Sequence, residues 1–186
     1  MSALPDIRGL PERAELLVTA AAVNGAVEKV ANAIAAVFPG KSERPLALVV
    51  MRGGLIFAGH LLPLLKFPLD IDYVDATRYG VSTKGGGLNW RAAIPDVKGR
   101  VVLLIDDILD EGQTLAAIRT RLLEAGAVEV LIAVFADKDL PQAKPVSADF
   151  VGVKVPNRYV FGFGMDVRGL WRNLPAVYAL AQDQQD

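Results

Sequence analysis

The chain has 186 residues, carries a formal net charge of −1 and contains no cysteine. That length is about one domain and enough for a real core, and a hydrophobic fraction of 52% excludes wholesale disorder. The balanced charge offers no basic surplus that would favour DNA or RNA as a partner. The lack of cysteine excludes disulfides, thiolate nucleophiles and cysteine zinc sites.

No stretch reads as a secretory signal, because the first fifteen residues mix charge with proline. No uncharged apolar run reaches the roughly 18 residues a membrane span needs; Leu16 to Val27 is too short and contains Asn24. The expectation is a soluble, cytoplasmic protein with no membrane partner, one domain over residues 1–186.

In chain order, Val27, Val30, Ala31, Ile34, Ala35 and Phe38 fall at helical spacing, closed by Pro39-Gly40. Leu46 to Met51 is an apolar run of strand length, followed by Gly53-Gly54 and a helix-like apolar segment to Leu65. Leu69 to Ala76 alternates acidic and apolar residues, which predicts a strand with one wet face. Arg78 to Gly87 is polar and ends in three glycines, a mobile loop by composition, with Leu88 to Ala92 as its return strand. Val101 to Ile105 and Val128 to Phe135 read as buried strands around a helix from Thr114 to Ala125 that Gly126 closes. Strand, helix, strand in succession predicts an α/β fold, a parallel sheet with helices on both faces. Phe150 to Val155 and Tyr159 to Phe163 add short strands, and the last six residues should fray.

The densest chemistry lies in Val101-Val-Leu-Leu-Ile-Asp-Asp-Ile-Leu-Asp-Glu-Gly-Gln-Thr114, where a buried strand meets two carboxylates, a short loop and a helix. Ligands of open α/β sheets sit beyond the carboxyl ends of the strands. Amides at a helix N-terminus favour a phosphate. Gly112 permits close approach and Thr114 adds a hydroxyl donor. Asp106 and Asp107 are hard oxygen groups suited to vicinal sugar hydroxyls or to Mg²⁺. Asp110 stands inside an anion loop, where a carboxylate needs a task such as proton abstraction or stabilising a cationic sugar. A lone Asp-Asp pair would be read as a cap or turn; its conjunction with Asp110, Gly112 and Thr114 favours the functional reading.

Val102 to Thr114 resembles the phosphoribosyl pyrophosphate-binding motif of type I phosphoribosyltransferases. Lys138, Asp149-Phe-Val-Gly152, Val155-Pro-Asn-Arg-Tyr-Val-Phe-Gly-Phe-Gly-Met-Asp166 and Trp171-Arg-Asn-Leu174 resemble the C-terminal hood of the hypoxanthine-guanine phosphoribosyltransferases. Met51-Arg-Gly-Gly54 resembles their pyrophosphate loop. The resemblance spans Leu46 to Leu174 and implies a core of about residues 40–140 under a hood of about 1–15 and 145–186.

The implied activity is purine salvage, in which hypoxanthine or guanine and phosphoribosyl pyrophosphate give IMP or GMP and pyrophosphate, with Mg²⁺ as cofactor. Asp106 and Asp107 would hold the ribose hydroxyls. Asp110 would be the general base near the purine N7. The loop Asp110, Glu111, Gly112, Gln113 and Thr114 would wrap the 5-phosphate. Lys138 would donate to the purine O6, Tyr159 would stack on the base, Val160 would read it through its backbone, and Asp166 would approach both base and metal. Asp106, Asp107 and Asp166 are the implied metal group. Arg52 and Gly53, in a loop that in the family often carries a non-proline cis peptide, and Arg172 from the C-terminal segment would hold pyrophosphate. Arg78 and Tyr79 would belong to a mobile lid. Relatives form homodimers or homotetramers.

The chain departs from the family at Arg52, where lysine is common, at Arg78, where serine is usual, and at Glu111 and Gln113, where threonine and lysine are frequent. An anion gained and a cation lost beside a phosphate bear on affinity. Two rivals stand beside the main reading: a xanthine-preferring transferase, and a non-catalytic phosphoribosyl pyrophosphate sensor of the same fold. A dinucleotide enzyme and an NTPase are disfavoured, since neither G-x-G-x-x-G after a strand nor G-x-x-x-x-G-K-[ST] occurs. His60, the single histidine, is assigned a structural role.

Overall fold

The computed structural model describes residues 9–38, 44–78, 88–90 and 94–181. Its elements are helix α1 (Leu10–Arg13), strand β1 (Glu15–Val18), helix α2 (Ala20–Val37), β2 (Leu46–Met51), α3 (Gly54–Leu61) continued by a 3-10 turn (Leu62–Leu64), β3 (Asp70–Arg78), β4 (Leu88–Trp90), β5 (Val101–Leu109), α4 (Gln113–Glu124), β6 (Glu129–Lys138), β7 (Phe150–Val155), β8 (Val160–Phe161) and β9 (Val177–Ala179). A six-stranded sheet runs in the order β4-β3-β2-β5-β6-β7, parallel except for β4. A separate antiparallel sheet runs β1-β9-β8.

The period-two pattern of the central strands sorts the core. Ala47, Val49, Leu103 and Ile105 face one side with the buried stripe Val23, Val27, Val30 and Ile34 of α2 and with Phe57 and Leu61 of α3. Leu46, Leu48, Val102 and Leu104 face the other side with Leu115, Ile118 and Leu122 of α4. Strands covered on both faces read as continuous apolar runs, which is why β2 and β5 were legible. Thr19 caps α2 by accepting a hydrogen bond from the Ala22 N–H at 3.2 Å. The helix therefore begins a full two turns before the stripe that predicts it.

Several expectations need adjustment. β5 does not end at Ile105; it continues to Leu109 on its ladder with β6, while pairing with β2 stops at Val49–Ile105. The acidic pair is thus inside a strand whose neighbour on one side has already turned away. The boundaries of core and hood also move. Residues 150–155, expected in the hood, form the sixth strand of the main sheet, and α2, expected outside the core, packs beneath it. The second sheet draws on residues 15–18, 160–161 and 177–179.

β3 lacks the clean alternation expected; β4 pairs only with Ala76 to Arg78, and the first half of β3 is a sheet edge. Ile71, Asp72 and Tyr73 are all exposed. The return strand is observed over Leu88–Trp90, whereas Ala92, most of the expected loop and the last five residues lie outside the described part. Among the described residues, no helix is long and apolar enough to cross a membrane.

Candidate active site

The chain reverses its direction of travel across the sheet between β2 and β5. β3 lies to one side of that pair, and β6 and β7 to the other. A switch of this kind opens a crevice at the carboxyl ends of the strands. A cleft of about 620 Å³ lies there. Its lining includes Arg52 and Gly53 after β2, the acidic pair of β5, the loop Asp110 to Thr114, Lys138 at the end of β6, and Tyr159, Val160, Asp166 and Arg172 from the C-terminal segment. Residues far apart in the sequence therefore share one cavity.

Asp106 and Asp107 are 8% and 7% exposed, the only charged residues in the buried set among the described residues. The Asp107 N–H donates to Asp106 Oδ1 at 2.9 Å and the Ile108 N–H donates to Asp107 Oδ1 at 2.8 Å. Burial pushes the Asp106 carboxyl well above the ordinary range, and the adjacent Asp107 charge adds to that rise. Burial also raises Asp107, opposed by its hydrogen bond with Asp106 and by the Arg172 cation.

Arg172 is the nearest counter-charge. Its Nη1 lies 3.6 Å from Asp107 Oδ2 and donates to the Gly164 carbonyl at 2.6 Å, and its Nη2 is paired with Asp166 Oδ1. Asp166 Oδ2 also accepts from the Gly169 N–H at 2.7 Å. One guanidinium thus ties the C-terminal segment to β5.

The Met51–Arg52 peptide is cis, and Gly53 packs flat against the Asp107 carboxylate. A β-carbon at Gly53 would occupy the space of that carboxylate. Gly164 closes the other side; a β-carbon there would come within 2.5 Å of the Gly53 carbonyl oxygen and 3.0 Å of Asp107 Cβ.

Gly112, at φ 82°, turns the chain into α4 in the left-handed region open to glycine. The first turn of α4 leaves N–H groups with no intrahelical acceptor beside the cleft, an arrangement suited to an anion. Glu111 and Gln113, the two departures in this loop, are exposed and belong to the cleft lining. Lys138 Nζ lies 2.5 Å from Asp110 Oδ2, with the lysine side chain 11% exposed. A cationic donor and a carboxylate acceptor therefore stand in contact across the cleft.

Tyr159 is exposed at the mouth, and partial burial with the nearby Asp166 charge raises its phenol, so it stays neutral. Val160 is buried in β8. Arg78 ends β3, with its side chain outside the described part, and Tyr79 lies outside it altogether. His60 contacts the Phe163 ring edge-on at 5.1 Å and is absent from the cleft lining.

The cleft also holds residues that the sequence did not single out. Val50, Asp75, Ile108 and Leu115 line it. Asp75 is brought in by its register with Met51, which only strand pairing reveals.

Among the described residues, no three carboxylates or imidazoles gather to hold a metal unaided. The donor set still fits Mg²⁺, which typically takes one or two carboxylates and completes its shell with water and substrate phosphates. Asp106, Asp107 and Asp166 offer hard oxygens where Arg172 already supplies positive charge.

Two stability changes follow. A carboxyl raised by burial favours the folded state at low pH, and that contribution is lost as pH rises from the ordinary carboxylate range through the raised one. Asp106→Asn, which needs no proton, should therefore raise the thermal midpoint of the ligand-free protein at pH 7 by about 2–4 °C per kcal/mol relieved. The gain should shrink toward pH 4. Gly53→Ala should lower the midpoint, since overpacking of this kind costs about 1–3 kcal/mol; calorimetry of both variants checks the opposite signs.

Comparison with known proteins gives the same answer. The family described as "Phosphoribosyl transferase domain" matches residues 21–168. The hypoxanthine-guanine phosphoribosyltransferase of Bacillus subtilis (strain 168) is 34% identical over 138 residues, covering 73% of this chain and 77% of the relative. That of Streptococcus pneumoniae R6 is 29% identical over 171 residues, covering 91% and 94%. The crystal structure of a hypoxanthine phosphoribosyltransferase from Staphylococcus aureus superposes with a TM-score of 0.84 at 27% identity, covering 94% of this chain and 95% of that one. With the sheet order, the acidic strand end and these similarities in agreement, the chain belongs to the type I phosphoribosyltransferases, in the family of the hypoxanthine-guanine enzymes, and is a phosphoribosyltransferase.

Proposed function

We propose that the protein transfers the ribose 5-phosphate of phosphoribosyl pyrophosphate to hypoxanthine or guanine, giving IMP or GMP and pyrophosphate. The observation that carries this reading is the contact between Lys138 and Asp110, 2.5 Å apart in the cleft that also holds the acidic pair and the first turn of α4. An ammonium has donors and no acceptor. It matches a carbonyl at purine position 6 and rejects the amino group of adenine. A carboxylate beside it is placed to take the proton from N7 as N9 attacks C1 of the ribose.

The remaining residues take roles consistent with their positions. The amides of Gly112 to Thr114 hold the 5-phosphate at the N-terminus of α4. Asp106 and Asp107 accept from the ribose hydroxyls. Tyr159 covers one face of the base, Val160 reads its edge through the backbone, and both hold it in attack geometry. Arg172, with its planar fork, and the loop of Arg52 and Gly53 receive the pyrophosphate. Oxygens of Asp106, Asp107 and Asp166 would hold Mg²⁺, which would supply charge neutralisation for the leaving group. Arg78 and Tyr79 serve as part of a lid that excludes water from the cationic sugar.

The same reading takes the protein as a homodimer or homotetramer. Its support is the exposed apolar character of Leu55 on α3 and of Ile71 and Tyr73 on the edge half of β3. By register with Ala47 and Val49, Ile71 and Tyr73 lie on the side of the sheet that α3 occupies.

A competition assay with hypoxanthine, guanine, xanthine and adenine, following pyrophosphate release with Mg²⁺ present, tests the reaction. Use of hypoxanthine and guanine with exclusion of adenine is expected. A clear xanthine preference overturns the substrate assignment, and no release with any base turns the reading toward a sensor. Asp110→Asn should lower kcat by about 10²–10⁴-fold, the range for loss of a general base. Lys138→Met should raise KM for both oxopurines with little effect on KM for phosphoribosyl pyrophosphate, which steady-state kinetics resolves.

A further inference from the structure

The fork at which β5 and β6 part is closed by a lysine outside every motif described above. Lys144 lies in the loop between β6 and β7, yet its side chain is only 13% exposed. Its Nζ donates to the Leu109 carbonyl at 2.7 Å, to Asp137 Oδ1 at 2.6 Å and to the Lys138 carbonyl at 2.5 Å. An ammonium has three N–H donors and each finds an acceptor. Burying such a charge is unfavourable unless it is paired and hydrogen-bonded in this way. A surface lysine placed by chance has no reason to meet those conditions.

The two carbonyls are not arbitrary. Leu109 and Asp137 are register partners at the end of the β5–β6 ladder. Beyond them the strands diverge, β5 into the anion loop and β6 along β7. The Leu109 carbonyl belongs to the peptide that leads into Asp110. The Lys138 carbonyl belongs to the peptide that leaves Lys138. One ammonium therefore fixes the peptide planes adjoining both members of the Asp110–Lys138 pair.

The neighbouring residues extend this support to the loop. A β-carbon built on Gly112 would meet Pro145 Cδ and Val146 Cγ1, each at 3.4 Å, so the segment after Lys144 packs under the turn into α4.

We propose that Lys144 is a positioning residue: it sets the separation and orientation of Asp110 and Lys138, and through them the pose of the base. The proposal rests on the phosphoribosyl-transfer reading. Lys144 is not part of the cleft lining, so its effect passes through the two backbone carbonyls rather than through contact with substrate.

The test compares Lys144→Met, which keeps the stem and removes the ammonium, Lys144→Gln, which retains one donor group if the methionine variant folds poorly, and Lys144→Arg. In Lys144→Met the KM for hypoxanthine should rise about tenfold and kcat should fall about 10–10²-fold, as for a misplacement of about 1 Å. The KM for phosphoribosyl pyrophosphate should stay within about twofold, because α4 and its packing on Pro145 and Val146 survive the change. Lys144→Gln should fall between, and Lys144→Arg should recover most of the loss.

A smaller active fraction lowers kcat but moves no KM, so a fall in kcat alone overturns the proposal. So do constants within twofold of the parent in a folded variant. The crystal structure of Lys144→Met gives a readout that does not need turnover. Separation of Asp110 from Lys138 supports the assignment, and an unchanged contact overturns it. If the unaltered protein transfers to no oxopurine, the reaction reading fails, and that crystal structure still decides the role of Lys144.

Discussion

Two carboxylates side by side in a buried strand are the constraint that organises this fold. An isolated ionised carboxylate in an apolar interior costs far more than a domain can spare, so it must be protonated, paired or hydrogen-bonded. Asp106 and Asp107 meet that condition locally, through the backbone N–H groups of Asp107 and Ile108, and at longer range through Arg172. The main sheet places them at the crevice where its winding reverses, and the C-terminal segment brings the cation over them. Remove that segment and the pair would stand without its nearest positive charge.

Space matters as much as charge at this point. The loop after β2, the carboxylate of Asp107 and the turn at Gly164 come into direct contact, with backbone against side chain against backbone. Three parts of the chain can meet there only because two of them carry no β-carbon. The arrangement adds to the apolar contact in which Val160, Val177 and Ala179 of the second sheet join the core of the first. Phe163 reinforces it by packing on Phe135 of β6 with ring centroids 4.5 Å apart and on His60 of α3. The small sheet β1-β9-β8 is thereby anchored directly over the carboxyl ends of the strands it covers.

The central strands and the helix that follows the acidic motif were legible because each is a local pattern: a continuous apolar run, a 3.6-residue stripe, a glycine at a stop. The expected site residues were legible through the motifs, and Asp106, Asp107, Asp110 to Thr114, Lys138, Tyr159, Asp166 and Arg172 line one cavity. What the sequence hid is pairwise. Nothing in Glu15 to Val18 or Val177 to Ala179 announces a strand, because each is three or four residues long and finds its partner across most of the chain. Asp75 enters the cleft through register, and Lys144 reads as an ordinary loop lysine until its three acceptors are seen together. The extension of β5 beyond Ile105 was obscured because carboxylates ordinarily mark a strand's end rather than its interior. Tyr79, expected in a lid, lies outside the described residues.

The contact between Lys138 and Asp110 gives the cleft a logic of conjunction. Each charge is neutralised by the other, so an entering molecule must break a partnership before forming its own. A ligand presenting only an acceptor frees Asp110 without satisfying it, and a ligand presenting only a donor does the same to Lys138. Leaving the largely buried Lys138 cation uncovered is costly, so a site built this way discriminates against molecules that offer only a donor. A ligand bearing both complementary groups along one edge replaces the bond that its entry removes.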